Sequence, residues 1–160
     1  ILKKTLLKLS KDNEFKLKIN FIIIGSTSIN DFLKNYNFNY NYLGAPKNDY
    51  ELSKVYRKSD FFLNTSIQDG GPMMINEAIM SNLLVISFPT QLASEVISKS
   101  NGFLIKTNFS KNLKKILKKI SNLNRDKVNQ MKNGINENIY KKKFDREYQF
   151  KEFLNFLNKL

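Results

Sequence analysis

Residues 66–78 read SIQDGGPMMINEA and form the most informative stretch of the sequence. It follows the apolar run FFL at 61–63 and leads into a helical pattern at 73–80. Its two adjacent glycines permit a tight turn. Pro72 comes next, and the first turn of a helix tolerates proline because the amide there has no helical partner to lose. The stretch therefore predicts a step from a buried strand into a helix.

The same alternation of strand and helix recurs on both sides of this stretch. Continuous apolar runs such as FIII at 21–24 are typical of strands that are buried on both faces of a parallel sheet. Strands are predicted at 18–24, 40–43, 60–64, 83–87 and 102–105, and helices at 1–9, 29–36, 49–57, 73–80 and 91–98. The alternation predicts an α/β fold, a Rossmann-like doubly wound parallel sheet flanked by helices.

The strand pattern stops after residue 108. Helical stretches are predicted at 109–121, 125–141 and 145–160, and no proline follows Pro89. The sequence contains no internal repeat and no linker. The prediction is one domain over 1–160, with the sheet core in 1–108 and a helical tail in 109–160.

Composition excludes several kinds of site. The 160 residues contain no cysteine and no histidine. Disulfides, Cys or His metal centres, a cysteine nucleophile and a Ser-His-Asp triad are therefore excluded. Hydrophobic residues make up 41% of the chain, which is enough for a core. No apolar run approaches the ~20 residues that span a bilayer.

The chain is strongly basic, with 27 Lys and Arg against 14 Asp and Glu and a formal charge of +13. A genome-wide drift toward lysine and asparagine would produce part of this excess. Residues 111–143 hold eleven Lys or Arg and two acids. This Lys-rich tail is either a solvated helix face or a surface that docks on an anionic membrane. Nucleic-acid binding ranks last, because the chain has no recognisable nucleic-acid motif.

The turn and the helix that follows it form a candidate binding site. The amides of Met73 and Met74 are predicted to point out of the helix N-terminus, an end that attracts phosphate. Asp69 and Glu77 can both face the crevice at the carboxyl end of the strand, where open α/β sheets bind ligands. Acids beside a phosphate site suit hydrogen bonds from sugar hydroxyls. The structural alternative is a turn aspartate and a surface glutamate near a helix start.

The stretch resembles the motif of two glutamates separated by seven residues in retaining glycosyltransferases of the GT-B fold, group 1 (family 4). The family pattern is approximately Ser-x-x-Glu-Gly-x-Pro-x-x-x-x-Glu-Ala. Matches fall at Ser66, Gly70, Pro72, Glu77 and Ala78, with Asp69 in place of the first glutamate. The flanking segments FIIIG at 21–25, YLG at 42–44, LSKVYRKSDFF at 52–62 and NGFLI at 101–105 also resemble family segments.

The resemblance implies that the chain is one half of a GT-B fold, the half that binds a nucleotide-diphospho-sugar. It also implies that the acceptor half, an N-terminal domain, is absent from this chain. Asp69 is implied to be the catalytic residue that contacts the transferred sugar, and Glu77 to hold the ribose hydroxyls. The other implied substrate-binding residues are Gly70, Gly71, Pro72, Met73 and Met74 around the sugar and diphosphate, and Gly25 and Ser26 in the nucleotide crevice.

The family likeness also implies the reaction. It predicts a hexosyltransferase that transfers the sugar with retention to a glycan or lipid-linked acceptor in polysaccharide or lipopolysaccharide biosynthesis. No metal or other cofactor is expected, because amides, basic side chains and helix dipoles neutralise the leaving diphosphate. The expected location is cytoplasmic, peripheral at the cytoplasmic face of the membrane. The isolated chain is expected to be inactive.

Departures from the family pattern leave two alternatives open. Asn82 and Leu84 stand where the family has Gly and Pro, and Gln91 and Leu92 replace a Gly-Gly pair. The alternatives are a catalytically inactive binding module and a nucleotide-sugar epimerase of the same fold. The family's diphosphate-binding Arg and Lys are expected upstream of residue 1.

Overall fold

The computed structural model describes residues 1–25, 27–67, 73–135 and 145–158. The described strands are β1 (Asn20–Ile23), β2 (Asn39–Tyr42), β3 (Phe61–Asn64), β4 (Leu84–Ser87) and β5 (Gly102–Leu104). The described helices are α1 (Leu2–Leu9), α2 (Asn13–Lys18), α3 (Thr27–Asn35), α4 (Asp49–Arg57), α5 (Met73–Met80), α6 (Gln91–Val96), α7 (Phe109–Ser121), α8 (Arg125–Asn133) and α9 (Arg146–Leu157). The predicted α/β alternation is confirmed.

Every described strand pair is parallel, as predicted. Hydrogen bonding divides the strands into a two-stranded sheet, β1-β2, and a three-stranded sheet in the order β3-β4-β5. In the first, Ile23 pairs with Tyr42. In the second, Asn64 pairs with Ser87, and Ser87 with Leu104. The carboxyl ends of β3 and β4 therefore lie side by side.

Helices cover both faces of β4, whose four residues are all buried. Val85 belongs to a first core cluster with α5 and α6, whereas Ile86 belongs to a second cluster with α1 and α7. The second cluster also contains Ile23 of β1, so apolar packing connects the two sheets. This two-sided burial explains why the strand reads as a continuous apolar run, and it confirms the doubly wound arrangement.

Helix α2 was not predicted. Asp12 caps it by accepting a hydrogen bond from the Phe15 amide at 3.0 Å. Phe15 is its one buried residue. A helix of six residues with one buried position gives no repeating hydrophobic pattern from which it could be predicted. The predicted strand at 18–24 begins later, at Asn20, because this helix occupies Lys18.

The first two helices after residue 108 pack onto the sheet domain. Leu113 and Leu117 of α7 lie in the second core cluster. Arg125, the first residue of α8, donates two hydrogen bonds to the Asp60 carboxylate at 2.7 and 2.8 Å. The helix predicted over 125–141 ends earlier, at Asn133, where Gly134 caps it, and residues 136–141 lie outside the described residues. Within the described ranges, no helix combines the length and apolarity needed to cross a bilayer.

Candidate functional site

Glu77 lies on the exposed side of α5, near the helix start. The inward positions Ile75, Ala78 and Ile79 pack against β3 and β4, which turns the intervening Glu77 side chain outward. Its Oε2 accepts a hydrogen bond from the Tyr56 hydroxyl at 3.0 Å. An ionised carboxylate has about four acceptor positions, so this bond leaves the group able to accept hydrogen bonds from a ligand.

Tyr56 anchors the Glu77 carboxylate from a second helix. Its ring lies in the first core cluster, is 7% exposed and meets Phe62 of β3 edge to face. Burial raises the pKa of the Tyr56 hydroxyl. The hydrogen bond to Glu77 and the negative charge of the Glu77 carboxylate raise that pKa further. The hydroxyl therefore stays protonated at neutral and mildly alkaline pH, and remains a donor to the carboxylate. Packing fixes the direction from which this donor approaches.

A buried polar network closes the carboxyl ends of β3 and β4. The Asn64 side-chain amide donates to Ser87 Oγ at 3.1 Å, and Ser87 Oγ donates to the Phe88 carbonyl at 2.8 Å. Asn64 Oδ1 also accepts a hydrogen bond from the Ser66 amide at 3.1 Å. The network thus sets the direction in which the chain leaves β3 and enters the 66–78 stretch.

Helix α5 begins at Met73, as predicted, and its first turn presents contrasting side chains. Met73 is 66% exposed and Met74 49% exposed, so neither is a core residue. Asn76 is 9% exposed, and its Oδ1 is buried without a hydrogen-bond partner among the described residues. A buried amide oxygen without a partner costs free energy. The first turn therefore combines an unsatisfied acceptor with exposed apolar side chains.

Two glycines end β1 and β2. Gly25 has a φ of +78° and Gly44 a φ of +67°, values that residues with a Cβ atom rarely adopt. The Gly25 amide donates to the Gly44 carbonyl at 2.8 Å, which extends the pairing one step beyond the strands. An added Cβ would meet no atom within 4 Å at either position, so backbone conformation rather than crowding requires glycine.

The structure brings together only some of the predicted site residues. Glu77, Met73 and Met74 share α5, whereas Gly25 lies at the end of the two-stranded sheet and pairs with Gly44. The remaining predicted site residues, Ser26, Asp69, Gly70, Gly71 and Pro72, lie outside the described residues. Among the described residues, no group of three or more Asp or Glu side chains could hold a metal ion.

Sequence reasoning missed Tyr56 and Asn76. Tyr56 follows Leu52 by four positions on α4, a spacing that indicates an ordinary core contact. Asn76 follows three apolar residues. A polar residue at that position was the one sign in the sequence that this helix face does more than pack in the core. The partner of Tyr56 is 21 residues away, so no local pattern could have identified it.

A family profile of glycosyl transferases group 1 matches residues 3–142. The chain belongs to this family. The matched range includes β1 to β5, the 66–78 stretch and the Tyr56–Glu77 contact, and it confirms the resemblance predicted from the motif. A comparison with curated proteins gave no match.

Solved structures similar to this group 1 glycosyltransferase chain include two crystal structures of Anabaena HepE. The structure in complex with UDP-glucose matches with a TM-score of 0.66 and 16% identity, and the match covers 87% of this chain and 40% of the HepE chain. The structure in complex with UDP and glucose matches with a TM-score of 0.64 and 16% identity, and the match covers 96% of this chain and 46% of the HepE chain. The chain thus spans less than half the length of these proteins, and the likeness concerns the fold.

Proposed function

We propose that this chain is the donor-binding half of a retaining glycosyltransferase and takes a nucleotide-diphospho-sugar. The observation that carries the proposal is the exposed Glu77 carboxylate on α5, the helix that follows β3, held by the hydroxyl of the buried Tyr56 side chain. A fixed carboxylate on a helix that follows a parallel strand suits the two neighbouring hydroxyls of a ribose. Membership of the group 1 family supports the same assignment.

The remaining site residues are assigned on the same basis. Asp69 contacts hydroxyls of the transferred sugar and acts as the catalytic residue of this half. The backbone of 70–74, including the N-terminus of α5, faces the diphosphate. Amides at a helix start stabilise negative charge, and that charge grows as the sugar leaves. Gly25 and Ser26 line the nucleotide crevice.

The acceptor and the setting complete the proposal. The acceptor is a glycan or a lipid-linked glycan in polysaccharide biosynthesis, and it binds to an N-terminal half beyond this chain. The reaction uses no metal, since amides and basic side chains neutralise the leaving group. Because the acceptor-binding half is proposed to supply the other reacting groups, the 160 residues are expected to bind nucleotide but to show no turnover.

A nucleotide screen tests the proposal directly. The chain is titrated with UDP, GDP, ADP and CMP, and amide NMR shifts and thermal stability are followed. Saturable binding of one nucleoside diphosphate is the expected result. Failure of all nucleotides to bind to the full-length protein as well would reject the proposal. Product analysis with the full-length protein separates sugar transfer from epimerisation.

Tyr56→Phe is predicted to weaken nucleotide binding by about fivefold, because Glu77 loses its anchor but keeps its charge. A fivefold change corresponds to about 1 kcal/mol. This is less than the roughly 1.5–3 kcal/mol of a hydrogen bond to a charged group, because Glu77 loses a positioning contact and keeps its own contacts with the ligand. Phenylalanine fills the same buried space, so the folded state should be little affected. Isothermal titration with the selected nucleotide measures the change.

Tyr50→Phe is the matched control for Tyr56→Phe. Tyr50 lies on the same helix but is 64% exposed, with Lys54 over its ring. Its hydroxyl should contribute nothing to nucleotide affinity. Equal affinities of the Tyr56→Phe variant and the unmodified chain would show that the anchor is unimportant.

A further inference from the structure

Helices α1 and α7 form one continuous surface, although they are about a hundred residues apart in the chain. Their inward sides meet in the second core cluster through Leu6, Leu9, Leu113 and Leu117. Between the helices, the Thr5 hydroxyl donates to Ser110 Oγ at 3.0 Å. The outward sides of both helices therefore face solvent together.

This surface has only positive charges. Residues 1–11 contain four lysines and residues 106–122 contain six, and neither segment contains an acid. We define the basic face as the lysines of α1 and its end together with those of α7 that flank them: Lys3, Lys4, Lys8, Lys11, Lys111, Lys114, Lys115 and Lys118. All of these are exposed except Lys114, which is half-buried.

The nearest acids reduce this charge only slightly. The Asp12 carboxylate forms an ion pair with Lys118, and the hydrogen bond from Lys118 and the positive charges of Lys118 and Lys114 lower the Asp12 pKa. Glu14 pairs with Lys18 on α2, four residues later. Both acids stand at the edge of the basic face, on the α2 side.

One exposed leucine lies within the basic face and another lies beside it. Leu7 is 45% exposed, and helical spacing places it between Lys3, Lys4 and Lys8. Leu17 on the adjoining α2 is 79% exposed and lies between Lys16 and Lys18. A basic helix face with exposed leucines matches the composition of surfaces that lie on anionic lipid, where lysines meet headgroups and leucines reach the acyl boundary.

The same face lacks what a nucleic-acid surface would use. Helix α1 has no aromatic residue. The one aromatic residue of α7, Phe109, packs with its ring centroid 4.6 Å from that of the buried Phe88. No aromatic ring of these two helices is therefore placed to stack on a base. The combination of lysines and leucines favours a lipid surface.

We propose that the basic face docks the protein on a bilayer that contains anionic phospholipid. Helices α1 and α7 pack on the second core cluster, whereas α5 and Glu77 belong to the opposite side of β4. Docking through the basic face therefore leaves Glu77 and the described start of α5 uncovered. The proposal is independent of which nucleotide sugar the donor site takes.

Vesicle sedimentation of the full chain tests the docking. Vesicles of phosphatidylcholine with and without about 30% phosphatidylglycerol are compared at about 0.05 M and about 0.5 M salt. Binding is expected only with the anionic lipid and at low salt. Each lysine close to such a surface contributes about fivefold to partitioning. The variant with Lys4, Lys8, Lys111 and Lys115 changed to Gln should bind more than about 100-fold more weakly.

The matched control changes Lys47, Lys58, Lys99 and Lys127 to Gln. These four lysines are also exposed and lie outside the basic face. Their replacement removes the same total charge as the first variant. Their replacement should reduce vesicle binding by less than about tenfold. Leu7→Gln, which leaves the charge unchanged, should reduce binding by about threefold to tenfold.

Three results would overturn the proposal. The first is an absence of binding to anionic vesicles at low salt. The second is equal loss of binding in the two four-lysine variants, because total charge would then explain the effect. The third is tighter binding to duplex DNA or single-stranded RNA than to anionic vesicles at the same ionic strength.

Nucleotide affinity and thermal melting of each variant confirm that the donor site and the fold are intact.

Discussion

Replacement of Glu77 by alanine is expected to weaken nucleotide binding by about 100-fold or more, the largest change in affinity predicted for this chain. The carboxylate is proposed to accept hydrogen bonds from two ribose hydroxyls. A hydrogen bond to a charged group contributes about 1.5–3 kcal/mol, so the loss of two corresponds to at least this factor. Titration of the selected nucleoside diphosphate measures it, and full-length enzyme should lose activity in parallel.

Two variants make the result specific. Glu77→Gln keeps the shape but removes the charge, and should fall between the unmodified chain and Glu77→Ala. Glu152→Ala removes an exposed acid from α9, so it changes net charge by the same amount away from the site. Its affinity should be unchanged. If Glu77→Ala bound nucleotide as tightly as Glu152→Ala, the assignment of Glu77 to the donor would be wrong.

The contact between Tyr56 and Glu77 also affects stability, and the two effects can be separated. Glu77→Ala leaves the buried Tyr56 hydroxyl without this partner, which costs about 1–3 kcal/mol of unfolding free energy. In a Tyr56→Phe background the same replacement should cost almost nothing. A double-mutant cycle by denaturant unfolding measures this coupling. Equal costs in both backgrounds would contradict the contact.

Gly102→Ala is expected to produce the largest loss of stability, about 3 kcal/mol or more, because β5 approaches β4 too closely for a side chain. An added Cβ would lie 2.0 Å from the Val85 carbonyl oxygen, an atom of the fully buried central strand. Neither backbone can move without loss of the hydrogen bond from the Val85 amide to the Asn101 carbonyl. A thermal melt should show a decrease of about 6–12 °C in Tm.

Gly134→Ala provides the comparison for Gly102→Ala. Gly134 follows α8 with φ −76°, and an added Cβ would lie 3.2 Å from the Met131 carbonyl oxygen. A few tenths of an ångström of adjustment would accommodate it, so stability should change by less than about 1 kcal/mol. A Gly102→Ala variant as stable as Gly134→Ala would show that β4 and β5 are not in such close contact.

Much of the fold could be read from residue order, because its determinants are local. Helices α4, α5 and α7 begin and end where their patterns predict. In α4 the start is marked by Asn48, whose side chain accepts from the Glu51 amide at 3.0 Å. The three consecutive apolar residues of β4, Leu84 to Ile86, are typical of a strand buried on both faces, and they divide between two core clusters as such a strand requires.

The candidate site could be predicted only in part, for the same physical reason. A motif with fixed spacing identified the family and predicted Glu77 as a site residue, because a turn and the first turns of a helix form from neighbouring residues. The anchor of Glu77 comes from another helix, and no spacing rule relates Tyr56 to it. The buried oxygen of Asn76 likewise becomes visible only when the packing around α5 is known.

Local periodicity, caps and one motif thus established the α/β class, the parallel sheet and the family from the order of residues. Packing established the rest: the division into two sheets, the Tyr56–Glu77 contact, the crowding at Gly102 and the junction of α1 with α7. Those features join positions that are 17 to 105 residues apart. Hydrophobic patterns extend over a few residues, whereas such contacts depend on how the whole chain is connected.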